Sequence, residues 1–312
     1  MRRNPESNRK RKNCKKVKML MLDLTVVILT KNEESDLKRC IDSFGGIVKR
    51  FVVIDSGSTD NTVELAKSLG ADVYYHEWTD HATQFNWGLK NVNIETAWTM
   101  RIDADEYLTP ELCEEMARKI PDLDDSVAGI ELNRRQMFLG RWMKHGGIYP
   151  IFFLRIFRTG KAYCEQTNMD EHLMLTEGRT IQFRNDFVNG EPKSLSWWID
   201  KHNGYSDREV LDYLSKKKQL EDNATIRPDL FGNPAERKRW LKYNLYYKFP
   251  GSVRARLYFI YRYYIRLGFL DGKEGRMFTF FHAYWYRYLV DAKLYEYEKN
   301  GKRMAEQGEP RQ

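Results

Sequence analysis

Four short apolar runs, each followed by a stretch with helical spacing, constrain this chain more than any other feature. Between Leu24 and Ile120, "LTVVILT", "RFVVID", "ADVYYH" and "AWTMRIDAD" alternate with "ESDLKRCIDSF", "STDNTVELAKSLG", "HATQFNWGLKNV" and "TPELCEEMARKI". Unbroken Val/Ile runs belong to strands covered on both faces, and the helices between them supply the crossovers that a parallel sheet requires. The expected fold is α/β: a mixed, mainly parallel sheet flanked by helices. Ser58 or Thr59 is expected to cap the helix that Gly70 ends, and Thr109-Pro110 to open a later one as N-cap and N1. From Ala128 to Phe187 the pattern predicts mixed strands and loops with a turn at Gly146-Gly147, and residues 196 to 223 predict a helix. Ligands of such open sheets sit beyond the carboxyl ends of the strands. The polar residues that follow each run therefore carry the functional reading.

In "RIDADEY", Asp103 and Asp105 stand two apart on an extended chain and face the same way. Either a cation belongs between them or they are solvated acids at a helix start. Mg²⁺ or Mn²⁺ suits the first reading, since such an ion takes one or two protein carboxylates when substrate phosphates supply its other oxygens. In "DSGSTDNT", Asp55 can accept the N3–H of a uracil or thymine ring, and the small residues let backbone approach the base or ribose. Its bland alternative is a helix N-cap. Arg155 and Arg158 in "FFLRIFRTGKAY" can pair with diphosphate oxygens, or else form ion pairs on a strand surface.

Hydrophobic residues at 42% and aromatics at 14% exclude a disordered chain. The net charge of +8 suggests nucleic acid until it is mapped, because residues 1–18 hold nine Lys/Arg and one acid and the remainder is neutral. A tail of residues 1–20 is expected to be disordered and basic, and no nucleic-acid partner is expected. The four cysteines form no C-x-x-C pair, so neither a disulfide framework nor a zinc site is indicated. From Pro234 onward Arg and Lys interleave with Tyr, Phe and Trp over two or three helices, as in helices that lie in a membrane interface, or else in a helical subdomain packed on the α/β body with the aromatics in its core. No window is apolar enough to span one.

The set "TKNEE", "DSGSTDNT", "NWGL" and "IDADE", in this order, resembles the family 2 glycosyltransferases, whose GT-A (Rossmann-like) fold binds a nucleotide-sugar at this sheet edge. The likeness spans about residues 24 to 190 and is nearest to the bacterial lipopolysaccharide-core β-glucosyltransferase branch, which is also similar in its aromatic, basic C-terminal end. The "QxxRW" of processive synthases is missing, so a transferase of single sugars is implied. The resemblance further implies a GT-A domain over residues 21–195 and a helical, membrane-interfacial region over 196–312. Thr30, Asn32, Glu33, Asp55, Ser58, Gln84, Asp103 and Ala104 are its implied contacts to the nucleotide-sugar, with Asn86 as a further polar candidate. Asp103 and Asp105 are the implied ligands of Mg²⁺ or Mn²⁺. An inverting transferase also needs a base for the acceptor hydroxyl. "NMDEHLML" offers Glu171, favoured, and Asp170, with His172 beside them. The donor implied is a UDP-linked hexose and the acceptor a lipid-linked or lipopolysaccharide-core glycan. The implied location is cytoplasmic, peripheral on the inner face of the membrane.

Three other readings compete. A capsule, exopolysaccharide or O-antigen transferase would share every residue named. A sugar nucleotidyltransferase would use the same sheet without a base at Glu171, but "TKNEESD" lacks the Gly-rich loop such enzymes carry. A haloacid-dehalogenase-type phosphatase places D-x-D on its first strand, and here the pair follows the fourth.

Overall fold

The structure, a computed structural model, describes residues 21–166, 172–190, 194–222 and 251–306. The basic tail expected over residues 1–20 lies outside them. Strands β1 (Leu22–Thr30), β2 (Val48–Asp55), β3 (Asp72–Tyr75) and β4 (Trp98–Asp103) pair in parallel in the order β3-β2-β1-β4. Helices α1 (Leu37–Asp42), α2 (Thr62–Ser68) and α3 (His81–Asn91) make the crossovers. Every residue of β1 except Asp23 is buried, as the unbroken apolar run demands of a strand covered on both faces.

After β4 come β5 (Glu106–Leu108), α4 (Pro110–Lys119), β6 (Val127–Phe138), β7 (Arg141–Met143), β8 (Phe152–Arg158), β9 (Ala162–Cys164), β10 (Leu173–Leu175) and β11 (Arg179–Asn189). The sheet continues from β4 through β8, β6 and β11 to β5; β8 is antiparallel to both neighbours, β6 and β11 are parallel, and β5 closes the edge antiparallel to β11. This is the mixed, mainly parallel, GT-A-like arrangement expected. One face buries Ile28, Phe44, Met100, Met116 and Phe187, and the other buries Val27, Ile54, Phe85 and Phe157 beneath α3. Gly88 permits that second contact. A Cβ there would lie 2.0 Å from Cδ1 of Ile54, so α3 approaches β2 more closely than any side chain allows.

The helical region comprises α5 (Leu195–Asp222), α6 (Gly251–Ile260), α7 (Gly272–Thr279) and α8 (Tyr286–Glu306), with π-helical turns at Tyr261–Ile265 and Phe280–Trp285. It packs onto the β6–β7 end of the sheet, where Trp198 and Phe278 cover Phe138, Met143 and Ile148. Among the described residues no helix is long and apolar enough to cross a membrane.

Some helix ends follow the expected punctuation and others depart from it. Thr109 caps α4, accepting from Leu112 N at 3.2 Å, and Gly70 follows α2 at φ +80°. Ser58 and Thr59 do not cap α2, which starts at Thr62; both are tied to the loop after β1 instead. The acid pair does not open a helix either, because the chain turns at Ala104-Asp105 straight into β5.

Candidate active site

Three loops meet at the carboxyl ends of β1, β2 and β4. Asp55, the last residue of β2, is buried and fully engaged. Its Oδ1 accepts from Thr30 Oγ1 at 3.0 Å and Ser58 Oγ at 2.5 Å, and its Oδ2 from the backbone N–H groups of Gly57 and Ser58, both at 2.8 Å. The carboxylate thus shapes the "DSGS" turn. Asn32, in the left-handed region at φ +57°, laces that turn to the first loop: its Oδ1 accepts from Thr59 N and its N–H donates to Ser58 Oγ, each at 2.8 Å. Glu33 N donates to Thr62 Oγ1 at 2.8 Å. Asn tolerates positive φ because its short amide bonds locally.

Gln84 and Asn86, implied as ligand contacts, are used within the protein. Gln84 is wholly buried, its Nε2 donating to Ser56 Oγ and to the His76 carbonyl, both at 3.1 Å, while its Oε1 meets His76 Nδ1 at 2.6 Å. Asn86 clamps β9 as a backbone would, donating to Cys164 O at 2.7 Å and accepting from Cys164 N at 2.8 Å. Asp80, unmarked in the sequence reading, caps α3 by accepting from Thr83 N at 2.7 Å and so aims this helix at the site.

At the end of β4, Asp103 lies 3.8 Å from Arg101 Nε and 4.0 Å from Arg155 Nη1. Burial by itself raises the Asp103 carboxyl, but Arg101, Arg155, His81 and Lys201 outweigh it and hold the group at about 2, so it stays ionised. The side chain keeps 38% of its surface open, yet Oδ1 is buried and accepts no hydrogen bond. The opening therefore lies elsewhere on the side chain. Glu106, the first residue of β5, is buried, receives Arg155 Nη2 at 2.6 Å and accepts from Asp103 N at 3.1 Å. Burial pushes its carboxyl up to about 7 against the pull of Arg155, with Asp103 and Asp105 adding to the rise. Asp105 faces Lys201 Nζ of α5 at 3.8 Å. Lys201 stands over the Trp197 ring at 4.5 Å and near Tyr205 at 5.9 Å, three residues spaced by four on one helical face.

Over residues 25–184 the chain matches the family described as glycosyl transferase family 2. It belongs to that family. Among curated relatives, a glycosyltransferase of Rickettsia prowazekii is 36% identical over 65% of this chain and 72% of its own length. The lipopolysaccharide core biosynthesis glycosyltransferase LpsC of Rhizobium meliloti is 26% identical over 88% of this chain and 93% of its own. The chain spans about a third of the Rickettsia typhi glycosyltransferase that it matches at 38% identity, 32% of that protein. Among solved structures, glucosyl-3-phosphoglycerate synthase from Mycobacterium tuberculosis superposes with a TM-score of 0.31 at 22% identity, over 36% of this chain and 44% of that one.

For a family 2 glycosyltransferase a divalent ion is implied, and the residues present fit one. Asp103 offers a hard, ionised carboxylate with a buried oxygen that no donor satisfies, and Asp105 offers a second beside it, both at the mouth where a diphosphate would bring further oxygens. Arg158, read as either a diphosphate partner or a strand-surface ion pair, takes the second role, 3.4 Å from Asp125, and is not part of this site. It lies three residues along β8 from Arg155, on the opposite face of the strand, and donates to the carbonyls of Leu123, Asp124 and Val127 at 3.3 Å while covering Trp98. Asp170 and Glu171 lie outside the described residues. Of the described residues that flank them in sequence, Glu165 N donates to His172 O at 2.9 Å, and Gln166 Nε2 donates to Thr83 Oγ1 at 3.1 Å on the first turn of α3. His172 is occupied by Glu165, Nδ1 to Oε1 at 3.0 Å.

Proposed function

We propose that this protein transfers one sugar, with inversion, from a UDP-linked hexose to a hydroxyl of a lipid-linked or lipopolysaccharide-core glycan. The observation that carries the reading is the convergence of Asn32, Asp55 and Ser58 with Asp103 and Asp105 at one edge of the sheet. The first group forms a tight turn lined with backbone and small side chains where a nucleoside fits, with Thr30, Glu33 and Gln84 holding it in shape. Binding there requires Asp55 to exchange one of its internal bonds for the base N3–H. Asp103 and Asp105 would hold Mg²⁺ or Mn²⁺ beside Ala104, and the ion, when bound, neutralises charge developing on the departing diphosphate. Arg155 and Lys201 add positive charge around the same carboxylates. The acceptor oxygen attacks the sugar C1 as the C1–O bond to the diphosphate breaks, and its proton passes to the carboxylate of Glu171, with Asp170 as the second candidate.

LpsC is named for lipopolysaccharide core biosynthesis, which supports an acceptor of that type and an enzyme peripheral on the cytoplasmic face of the membrane. The chain is proposed to divide into a GT-A part over residues 21–195 and a helical part over 196–312, of which 223–250 and 307–312 lie outside the described residues. The test is thermal stabilisation by UDP-, dTDP-, GDP- and ADP-sugars with and without Mn²⁺, since a ligand that binds the native state raises the melting temperature. A Mn²⁺-dependent shift with a UDP-sugar is expected. Equal or absent shifts with every donor would overturn the reading.

A further inference from the structure

The π-helical turn after α6 and the short 3₁₀ turn at Gly268–Asp271 form a knuckle that the proposed chemistry does not use. In the fourteen residues from Leu257 to Leu270, eight large apolar side chains are exposed: Leu257, Ile260, Tyr261, Tyr264, Ile265, Leu267, Phe269 and Leu270. Ile265 is 67% exposed and Tyr264 58%. Exposed apolar residues scattered singly are ordinary, but so dense a run marks a surface that something covers.

Charge identifies what covers it. Arg256, Arg266 and Lys273 are exposed in and beside the knuckle, while its acid, Asp271, is buried and bound to His145 N at 2.8 Å and Nδ1 at 2.6 Å. The knuckle also borders a cavity of about 470 Å³ lined by Gly140, Arg141, Trp142, Lys144, His145, Leu270 and Asp271, in which Arg141 lies 3.5 Å from Glu274 and Lys144 has no acidic partner among the described residues. Lys144 stands 4.4 Å from the Trp142 ring, and the Trp142 Nε1–H is buried without an acceptor. Leu270 belongs to both the apolar run and the cavity lining.

We propose that residues 257–270 and the Arg141–Lys144–His145 cavity form one docking face for an anionic bilayer, the apolar knuckle entering the interface and the cavity taking a headgroup phosphate. Apolar residues flanked by cations are what such a surface attracts. The proposal rests on the reading of a lipid-borne acceptor, to which it assigns the membrane-facing side.

The experiment is co-flotation of the full chain with vesicles of phosphatidylcholine alone or with phosphatidylglycerol, with melting temperature and donor-induced stabilisation measured on every variant. The parent is expected to float with anionic vesicles. The exposed double change Ile265→Glu with Phe269→Glu should reduce the bound fraction by about tenfold or more at an unchanged melting temperature. Lys144→Glu should reduce binding to anionic vesicles, and Ile265→Trp should retain it. All variants keep residues 1–20, so flotation of the double variant equal to the parent would assign binding to that tail and overturn the proposal. So would a parent that does not float, or one that forms dimers which the double variant abolishes. A donor response that fails while flotation behaves as described would instead sink the transferase reading and leave the docking face standing.

Discussion

Asp103 and Asp105 do different things although they stand two residues apart. Asp103 is held ionised by Arg101, Arg155, His81 and Lys201 against its own burial, whereas Asp105 has Lys201 opposite it at 3.8 Å. Lys201 thus sits where it competes with a metal for Asp105. Lys201→Met is expected to raise Mn²⁺ affinity in the absence of nucleotide by about tenfold, given Coulomb energies at this range; titration with Mn²⁺ checks it, and unchanged affinity would show that Lys201 does not compete. Glu171→Ala should leave donor-induced stabilisation intact and slow transfer by roughly 10²- to 10⁴-fold, the usual contribution of a general base. Normal transfer would return the role to Asp170 or another group. The carboxylates were legible in the sequence because the turn that groups them is local. Lys201 was not, because its α5 reaches Asp105 only after the sheet is complete, although Trp197, Lys201 and Tyr205 at spacing four did mark one face. Arg155 was legible by type alone: its buried partner Glu106, 49 residues away, gives it its place.

At the scale of the element, α3 and α5 set the site. Gly88 lets α3 lie on β2, so Gly88→Ala, which places a methyl 2.0 Å from Ile54 Cδ1, should destabilise the protein by about 1–3 kcal/mol. Denaturant melts check it, and a neutral substitution would mean that the helix shifts freely. On α5, His202 is stacked on Trp198 and burial pushes its imidazole down to about 4. A histidine depressed below its unfolded value of about 6.5 contributes stability above that pH and loses it as pH falls toward 4, because the unfolded chain binds the proton more readily. The loss is at most about 3 kcal/mol at pH 4. His202→Phe should flatten the decline in melting temperature between pH 6.5 and 4; an unaltered slope would assign it to other groups. The parallel strands and their helices were readable from apolar runs. The three-residue β5 was hidden, since so short a strand has no period and exists only through its pairing with β11.

Across the whole molecule the helical region packs directly on the α/β sheet. A fragment ending at residue 195 would expose Phe138, Met143 and Ile148, which Trp198 and Phe278 now cover. At about 1.5–3 kcal/mol for each large apolar side chain, it should melt well below the full chain; an equal melting temperature would make the two parts independent. The fold class and the family likeness were present in four short motifs because three of them sit at or directly after the end of a strand and the fourth, "NWGL", lies in the crossover helix α3. How the aromatic C-terminal helices fold onto β6 and β7 was not, since their composition suits a packed core as well as the membrane interface that was favoured. The most direct test of the account is calorimetric titration of UDP into the parent and Asp103→Asn, with and without Mn²⁺. The account predicts that Mn²⁺ tightens UDP binding to the parent by about tenfold or more, the increment that a metal–diphosphate bridge supplies, and leaves Asp103→Asn unaffected. Metal-independent UDP binding by the parent, or a variant that responds to Mn²⁺ as the parent does, would contradict it.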